Sequence, residues 1–111
     1  MGNGRRSNPY TLHNELNVLS AEVSAHIYNG TDACITLSVP KKRGIWPAIM
    51  QTLHSYNIEV VNATLTSNNK TDFHCIHCKL EEESGLDRDD LESLFDDICI
   101  RELSIKPCRV Q

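Results

Sequence analysis

The 111-residue sequence predicts one α+β domain in which a small sheet packs its apolar face against two helices. Segments that alternate apolar and polar residues with a period of two are typical of half-buried β-strands. Two other segments carry apolar residues every three or four positions, which is the spacing of an amphipathic helix. These segments follow one another in the order ββαββα, with turn residues between them.

Residues 21–39 are predicted to form the first β-hairpin. The apolar residues that share its inward face are Val23, Ala25, Ile27, Ala33, Ile35, Leu37 and Val39. A two-residue turn at Asn29-Gly30 would set these residues opposite outward positions, which is costly when side chains alternate with a period of two. A three-residue loop from Asn29 to Thr31, with Gly30 near the left-handed conformation, restores the match and is the predicted connection.

The first helix is predicted after Pro40, over residues 45–57. Its inward stripe consists of Ile45, Ile49, Leu53 and Tyr56, broadened by Ala48 and Thr52. Pro47 falls in the first turn, where a missing N–H costs little. Asn57 is the predicted C-terminal cap.

The second hairpin joins a strand over residues 58–66 to a strand over residues 71–82. Lys79 must point to solvent, and the alternation of side chains then fixes both faces of the later strand. The residues predicted to face inward are Val61, Ala63, Leu65, His74, Ile76, Cys78 and Leu80. The residues predicted to face outward are Ile58, Val60, Asn62, Thr64, Phe73, Cys75, His77 and Lys79.

The second helix is predicted to start near Asp87, because acidic residues suit the positive N-terminus of a helix. Its buried stripe consists of Leu91, Leu94, Phe95, Ile98 and Leu103. A four-stranded antiparallel sheet with both helices on one face buries every predicted stripe, which is the arrangement of a ferredoxin-like sandwich. An N-terminal strand here takes the edge place that a C-terminal strand usually fills.

The domain is predicted to span residues 21–103. Residues 1–20 are interpreted as a flexible lead-in or linker, and residues 104–111 as a C-terminal tail. Leu12, Leu16 and Leu19 have helical spacing. They indicate either a short turn before the domain or the trailing end of a longer helix upstream.

Composition excludes some classes of function. The formal net charge is −4, and no basic stripe with interleaved aromatic residues is present, so no direct contact with nucleic acid is expected. No run approaches the roughly 20 apolar residues of a membrane span, and no membrane association is expected. Five cysteines without a visible export signal indicate free thiols in a reducing compartment.

The segment FHCIHC, residues 73–78, raises the question of a metal site. On a strand its four soft ligands divide between two faces and cannot converge on one tetrahedral ion. The side chains that share the outer face are His26, Cys34, Cys75 and His77. A soft-metal carrier through Cys34, Cys75 and His77 is the weaker hypothesis, and the protein is expected to carry neither metal nor cofactor as purified.

No enzymatic activity is expected. The sequence has no phosphate-binding loop, nucleophile elbow or paired-carboxylate arrangement. Cys75 and His77 would lie about 6–7 Å apart along one strand face, without a third group to orient them. Cys78 and Cys99 are interpreted as small core residues. His74 is expected to be half-buried with a local hydrogen-bond partner.

The order and spacing of these elements carry a family resemblance over about residues 21–101. A strand AEVSAHIY precedes the core, KKRG opens the first helix, and IEVVNATLTS follows that helix. This pattern resembles the ACT-like domain at the C-terminus of many plant basic helix-loop-helix (bHLH) transcription factors. The resemblance implies an ACT-like fold for residues 21–103.

The resemblance also implies a dimerisation module that sets the partner choice of a transcription factor in the nucleus. The partner would be a second copy or another ACT-like bHLH protein, and DNA would be bound by a bHLH region upstream. The edge strand 58–66 lacks the Lys and Pro that usually block edge pairing. The candidate interface residues are Trp46, Met50, Ile58, Val60, Asn62 and Thr64.

The alternative function is that of an amino-acid-binding ACT regulatory domain from a metabolic enzyme. Such domains carry an acidic residue and Pro-Gly after their first strand, whereas this sequence has Lys41, Lys42 and Arg43 before Gly44. Three cations would repel the ammonium group of an amino acid. Lys41 to Gly44 are instead candidates for contact with an anion or an acidic partner, helped by the helix N-terminus behind them.

Overall fold

The computed structural model describes residues 20–109, so Leu12, Leu16 and Leu19 lie outside the described residues. The strands are β1 (Glu22–Tyr28), β2 (Asp32–Pro40), β3 (Glu59–Ser67), β4 (Thr71–Lys79) and β5 (Cys108–Arg109). The helices are α1 (Ile45–Ser55) and α2 (Arg88–Leu103), and a 3-10 turn spans Glu82–Ser84. One sheet and two helices agree with the predicted α+β sandwich.

The strand order is β3-β4-β2-β1-β5, and the prediction of a four-stranded antiparallel sheet is wrong. The first four strands in this order pair antiparallel, but β5 adds a fifth strand parallel to β1. Ser104 adopts a left-handed φ of 58° at the end of α2, and the chain then returns to the sheet. The Cys108 N–H donates to the Ala21 carbonyl at 2.8 Å.

The first hairpin has the predicted three-residue loop. Tyr28 lies opposite Asp32, which leaves Asn29 to Thr31 as the connection. Asn29 and Gly30 have φ values of 54° and 80°, so the turn uses the left-handed conformations that such loops require. Apolar residues therefore face each other across the hairpin, as predicted.

A β-bulge between Val60 and Asn62 changes the faces predicted for β3. Val60 pairs with Cys78 and Asn62 with His77, so Val61 is the extra residue of the bulge. The inward orientation predicted for Val61 is wrong, since its side chain is 58% exposed. The outward orientation predicted for Val60 and Ile58 is also wrong. Val60 is half-buried against the core, and Ile58, just before the strand, is only 5% exposed.

The core lies between the helix-facing side of the sheet and the two helices. Its largest fully buried side chains come from the sheet and from both helices: Phe95, Ile35, Leu37, Ile49, Leu53, Ile76, Leu91 and Ile98. Burying one such side chain contributes about 1.5–3 kcal/mol. Tyr56 is exposed, contrary to the prediction, because α1 ends at Ser55 and Asn57 adopts a left-handed φ of 58°.

The start of α2 follows the sequence prediction. Asp87 is the N-cap, and its carboxylate accepts from the Asp90 N–H at 2.9 Å. The Asp90 carboxylate in turn accepts from the Asp87 N–H at 3.1 Å. This reciprocal capping box satisfies two N–H groups that have no partner within the helix. The apolar stripe of the helix, which includes Leu91, Phe95 and Ile98, is buried in the core.

Candidate functional site on the uncovered sheet face and the β3 edge

The sheet face that points away from both helices, here called the outer face, is organised in rows across the strands. One row consists of His26 (β1), Cys34 (β2), His77 (β4) and Asn62 (β3), each opposite the next. The neighbouring row consists of Ser24, Thr36, Cys75 and Thr64. Soft ligands therefore concentrate on β2 and β4, in the middle of the sheet.

Three side chains of these rows converge. The Sγ atoms of Cys34 and Cys75 are 3.9 Å apart, and a ring nitrogen of His77 completes a group whose ligand atoms all lie within 4.8 Å of one another. Cys34 faces His77 directly, while Cys75 is its diagonal neighbour. His26 shares the outer face but is not in this group. Its Nε2 lies 3.5 Å from the Ser24 hydroxyl.

The division of the FHCIHC segment between two faces is as predicted. His74 and Cys78 are buried on the helix side, and His77 is exposed on the outer face. Burial raises the pKa of Cys78 to about 11, and burial raises that of Cys99 to about 11 as well. These two thiols therefore remain protonated near neutral pH and act as small core residues.

The thiol of Cys34 has a different environment. Its pKa is raised, first by partial burial and then by the hydrogen bond and charge interaction with Cys75. Both outer-face cysteines are half-buried free thiols. An open groove of about 310 Å³ reaches Cys75, with Thr36, Thr64 and Phe73 among its lining residues. Cys75 is therefore accessible to small solutes and ions through this groove.

His74 departs from its predicted environment. It is buried rather than half-buried, and neither ring nitrogen hydrogen-bonds to any residue within 20–109. Its ring stacks on Trp46 of α1, with centroids 5.7 Å apart and an interplanar angle of 3°. Burial lowers the pKa of His74, and the nearby charge of Asp72 opposes this effect.

The β3 edge has an exposed apolar border. Leu65, opposite His74, is 55% exposed, and Val61 is exposed at the bulge. Trp46 is also exposed at its outer side and contacts His74 from the helix layer. The predicted interface candidates Asn62 and Thr64 are exposed on β3, and Met50 of α1 is half-buried. Trp46 and Leu65, which flank the buried His74, thus form an exposed surface beside the edge, which we call the Trp46 patch.

The basic loop before α1 is exposed throughout, from Lys41 to Gly44. Gly44 has a φ of 91°, which a residue with a side chain rarely adopts. The ammonium group of Lys42 donates to the carbonyl of Glu102 in the last turn of α2, where the helix dipole favours a cation. One cation of the trio therefore already binds a helix end, and contact of this loop with an anion or partner stays a prediction.

Sequence reasoning missed an ion-pair network at the opposite edge. The Arg109 guanidinium donates from both Nη atoms to the carboxylate of Asp96, at 2.7 and 2.6 Å. Its Nε lies 3.0 Å from Glu92, whose other oxygen accepts from the Ala25 N–H at 3.1 Å. The carboxylates raise the pKa of Arg109, Asp96 first. The sequence feature that could have indicated this network is the pair Glu92 and Asp96, which lie four residues apart beside the apolar stripe of α2.

No family model, curated protein or solved structure matches this chain. Over residues 20–109, neither helix has the length and apolar character needed to cross a membrane. The functional argument therefore depends on the geometry of the sheet, its edges and its outer face.

Proposed function

We propose that this domain is a protein–protein dimerisation module of the ACT-like kind, which pairs two chains through the β3 edge. In this proposal it belongs to a plant bHLH transcription factor in the nucleus and regulates transcription through its choice of partner. The observation that carries the proposal is the open β3 edge with the exposed apolar residues Val61 and Leu65 beside it.

The edge itself supplies backbone hydrogen-bonding groups. Among the strands of residues 20–109, β3 pairs with β4 alone, so its other side offers N–H and C=O groups to a further strand. The only charged side chain of β3 is that of Glu59, at its start. The bulge at Val61 interrupts the strand, so the regular stretch for pairing runs from Asn62 to Ser67.

The Trp46 patch extends this edge into the helix layer. Trp46 and Leu65 flank His74 from the helix and from the neighbouring strand, respectively. In an antiparallel pairing of β3 with its copy, a two-fold axis brings the same surface of both chains together. Backbone pairing and burial of the two patches then act in the same contact, as in other cases of strand addition.

The resemblance to ACT-like domains supports the identity of the partner. The strand, the basic Gly-containing loop, the helix and the phrase IEVVNATLTS follow the order of that family. The partner is a second copy of this chain or another ACT-like bHLH protein. DNA contact is assigned to a bHLH region upstream, since the chain has a net charge of −4 and no basic stripe.

The test is the molar mass of the full chain in solution, measured by light scattering over a range of concentrations. We expect a dimer at tens of micromolar and a monomer after Leu65→Lys combined with Thr64→Lys, since these changes place like charges across the two-fold axis. Ile100→Lys is the matched control, because Ile100 is 47% exposed on α2, away from the edge. A monomeric wild-type chain would contradict the proposal.

Two further outcomes assign the surface and the class of function. If changes at Phe73 and His77 dissociate the dimer while the Leu65 and Thr64 changes do not, the outer face is the interface. If an amino acid raises the melting temperature of the wild type but not of Gly44→Val, the chain is a ligand-sensing ACT domain instead.

A further inference from the structure

We propose that Cys34, Cys75 and His77 form a binding site for a thiophilic d¹⁰ cation, represented by Zn²⁺, on the outer face of the sheet. This departs from the sequence expectation that the protein carries no metal. It is independent of the proposed pairing function, because it uses the centre of the outer face and not the β3 edge.

The distances fit a metal with two thiolate ligands. Zn–S bonds of about 2.3 Å at a tetrahedral angle set the two sulfurs about 3.8 Å apart. The Sγ atoms of Cys34 and Cys75 are 3.9 Å apart without any rearrangement. The ring nitrogen of His77 is within 4.8 Å of both, and rotation of its exposed side chain brings it to bonding distance.

The positions of the three ligands are fixed by the sheet. Cys34 belongs to β2 and the other two ligands to β4, and these strands pair over their full lengths in the middle of the sheet. Behind the site, Ile35 and Ile76 are completely buried against the helices. The backbone is therefore already ordered, and binding costs little beyond the placement of one imidazole.

The donor set selects the class of metal. Two thiolates and an imidazole suit Zn²⁺ and other soft or borderline ions, whereas Mg²⁺ and Ca²⁺ require oxygen ligands. Asp32, at the start of β2, is already paired with Lys79 at 3.2 Å. When Zn²⁺ binds, both thiols lose their protons to solvent, so two thiolates balance the charge of the ion and the site stays neutral.

One coordination position stays open toward solvent. Three protein ligands plus an exchangeable fourth are typical of sites where the metal is accessible, in contrast to the four closed ligands of structural zinc sites. His26 lies in the same row, beyond Cys34, but its ring contacts Ser24. The site is therefore a three-ligand site, from which a competing chelator can remove the ion.

The experiment titrates the reduced, metal-free full chain with Co²⁺ and then displaces the cobalt with Zn²⁺. We expect equimolar binding with thiolate-to-cobalt charge-transfer absorption and the visible bands of a four-coordinate ion. Cys34→Ser and Cys75→Ser each should remove the charge-transfer band or lower affinity more than ~100-fold, since loss of an outer-shell partner alone costs about 10–100-fold. His77→Gln should retain the thiolate signal but weaken binding.

Cys108→Ser is the matched control, because Cys108 is an exposed thiol on β5, outside the site. It should bind cobalt like the wild type. The proposal is overturned if the wild type shows no thiolate–metal absorption at equimolar cobalt, or if Cys108→Ser loses the signal to the same extent as Cys34→Ser.

A measurement on the wild type alone covers the case of a serine variant that does not fold. Zn²⁺ should slow alkylation of Cys34 and Cys75 by iodoacetamide at least tenfold, as read by mass spectrometry of their peptides. Alkylation of Cys108 in the same sample should be unchanged. Equal rates at Cys34 and Cys75 with and without Zn²⁺ would also overturn the proposal.

Discussion

The two edges of the sheet differ in how their backbone groups are covered. At the β1 side, the short strand β5 pairs with the start of β1, and the Glu92 carboxylate accepts the Ala25 N–H beyond it. Arg109 binds both Glu92 and Asp96, which fixes β5 to α2. At the β3 side, the described residues include no strand, carboxylate or cation that covers the outer backbone groups.

Because of this difference, the β1 edge contributes to the stability of the domain, whereas the β3 edge is available for assembly. The β1 edge uses charged side chains that are nearly buried, with Glu92 6% and Asp96 11% exposed, so a change there leaves charges without partners. The β3 edge uses exposed apolar and neutral side chains, so a change there has little effect on the isolated domain. We therefore expect substitutions at the first edge to alter folding and substitutions at the second to alter pairing.

The largest effect on stability is expected for Arg109→Met. It leaves Glu92 and Asp96 without their cation and should lower the free energy of unfolding by about 2–3 kcal/mol. This is less than the roughly 3–5 kcal/mol for breaking a fully buried ion pair, because the Arg109 side chain is 36% exposed. Urea denaturation measures the change. Hydrogen exchange at the Cys108 amide should accelerate because β5 is released.

Arg101→Met is the matched control for this change, since Arg101 lies on α2 and, within residues 20–109, donates to the hydroxyl of Thr52 at 3.3 Å on the surface. It should alter the free energy of unfolding by less than about 0.5 kcal/mol. If Arg109→Met and Arg101→Met changed the free energy of unfolding equally, the Arg109 ion pairs would not be what stabilises the β1 edge.

A smaller loss is expected for Glu92→Gln. The amide oxygen still accepts from the Ala25 N–H, but the charge that faces Arg109 is lost. The free energy of unfolding should fall by about 1 kcal/mol. Combining Glu92→Gln with Arg109→Met should give less than the sum of the separate losses, since both remove the same interaction. Strict additivity would contradict this assignment.

His74, near the open β3 edge, differs from the buried charged groups of the β1 edge. It has no ion-pair partner among the described residues, so its protonation should make stability depend on pH. Burial lowers its pKa in the folded state, so protonation favours the unfolded chain. Its contribution to stability is complete above the unfolded value of about 6.5 and is lost as the pH falls through the folded pKa.

His74→Phe keeps an aromatic ring against Trp46 and removes the titrating group. The free energy of unfolding of this variant, followed by urea denaturation between about pH 5 and 7, should fall less on acidification than that of the wild type. His54→Gln, an exposed histidine on α1, serves as the control and should leave the wild-type slope unchanged. A His74→Phe variant with the full wild-type slope would show that another group causes the acid sensitivity.

The smallest effect on folding is expected at the open edge. Leu65→Lys changes an exposed side chain, and under conditions where the chain is monomeric its free energy of unfolding should stay within about 0.5 kcal/mol of the wild type. Its dimer affinity should nevertheless fall, as measured by sedimentation. A loss of more than about 1 kcal/mol in the monomer would mean that Leu65 stabilises the fold itself, which would contradict the different roles assigned to the two edges.

The elements that alternate with a clear period were predictable from the sequence. Polar residues such as Ser24 and Thr36 alternate with apolar ones in the first hairpin, so only one register buries the apolar set. The same argument correctly divided His74 and Cys78 from Cys75 and His77. Cys34 and Cys75 both lie on the outer face, so they come close together when β2 pairs with β4.

The β3 bulge and the β5 strand could not be predicted in this way. Val60 and Val61 are both apolar and β-branched, so alternation alone does not say which one faces the core. The pairing with Cys78 and His77 decides it. The β5 strand has only two residues, and the acids that hold Arg109 resemble ordinary solvated residues of a helix until their distant partner is known.

The parallel pairing of β1 with β5 also sets where attached segments leave the domain. Because Glu22 lies opposite Cys108, the chain enters and leaves the sheet at the same corner, on the side away from β3. With strands about 4.8 Å apart, β1 and β3 are separated by roughly 14 Å. In the proposed dimer, the two β1 strands, which follow residue 20 in each chain, would lie roughly 34 Å apart within one continuous sheet. The dimer would thus act as a spacer that holds its two attached segments at a fixed separation.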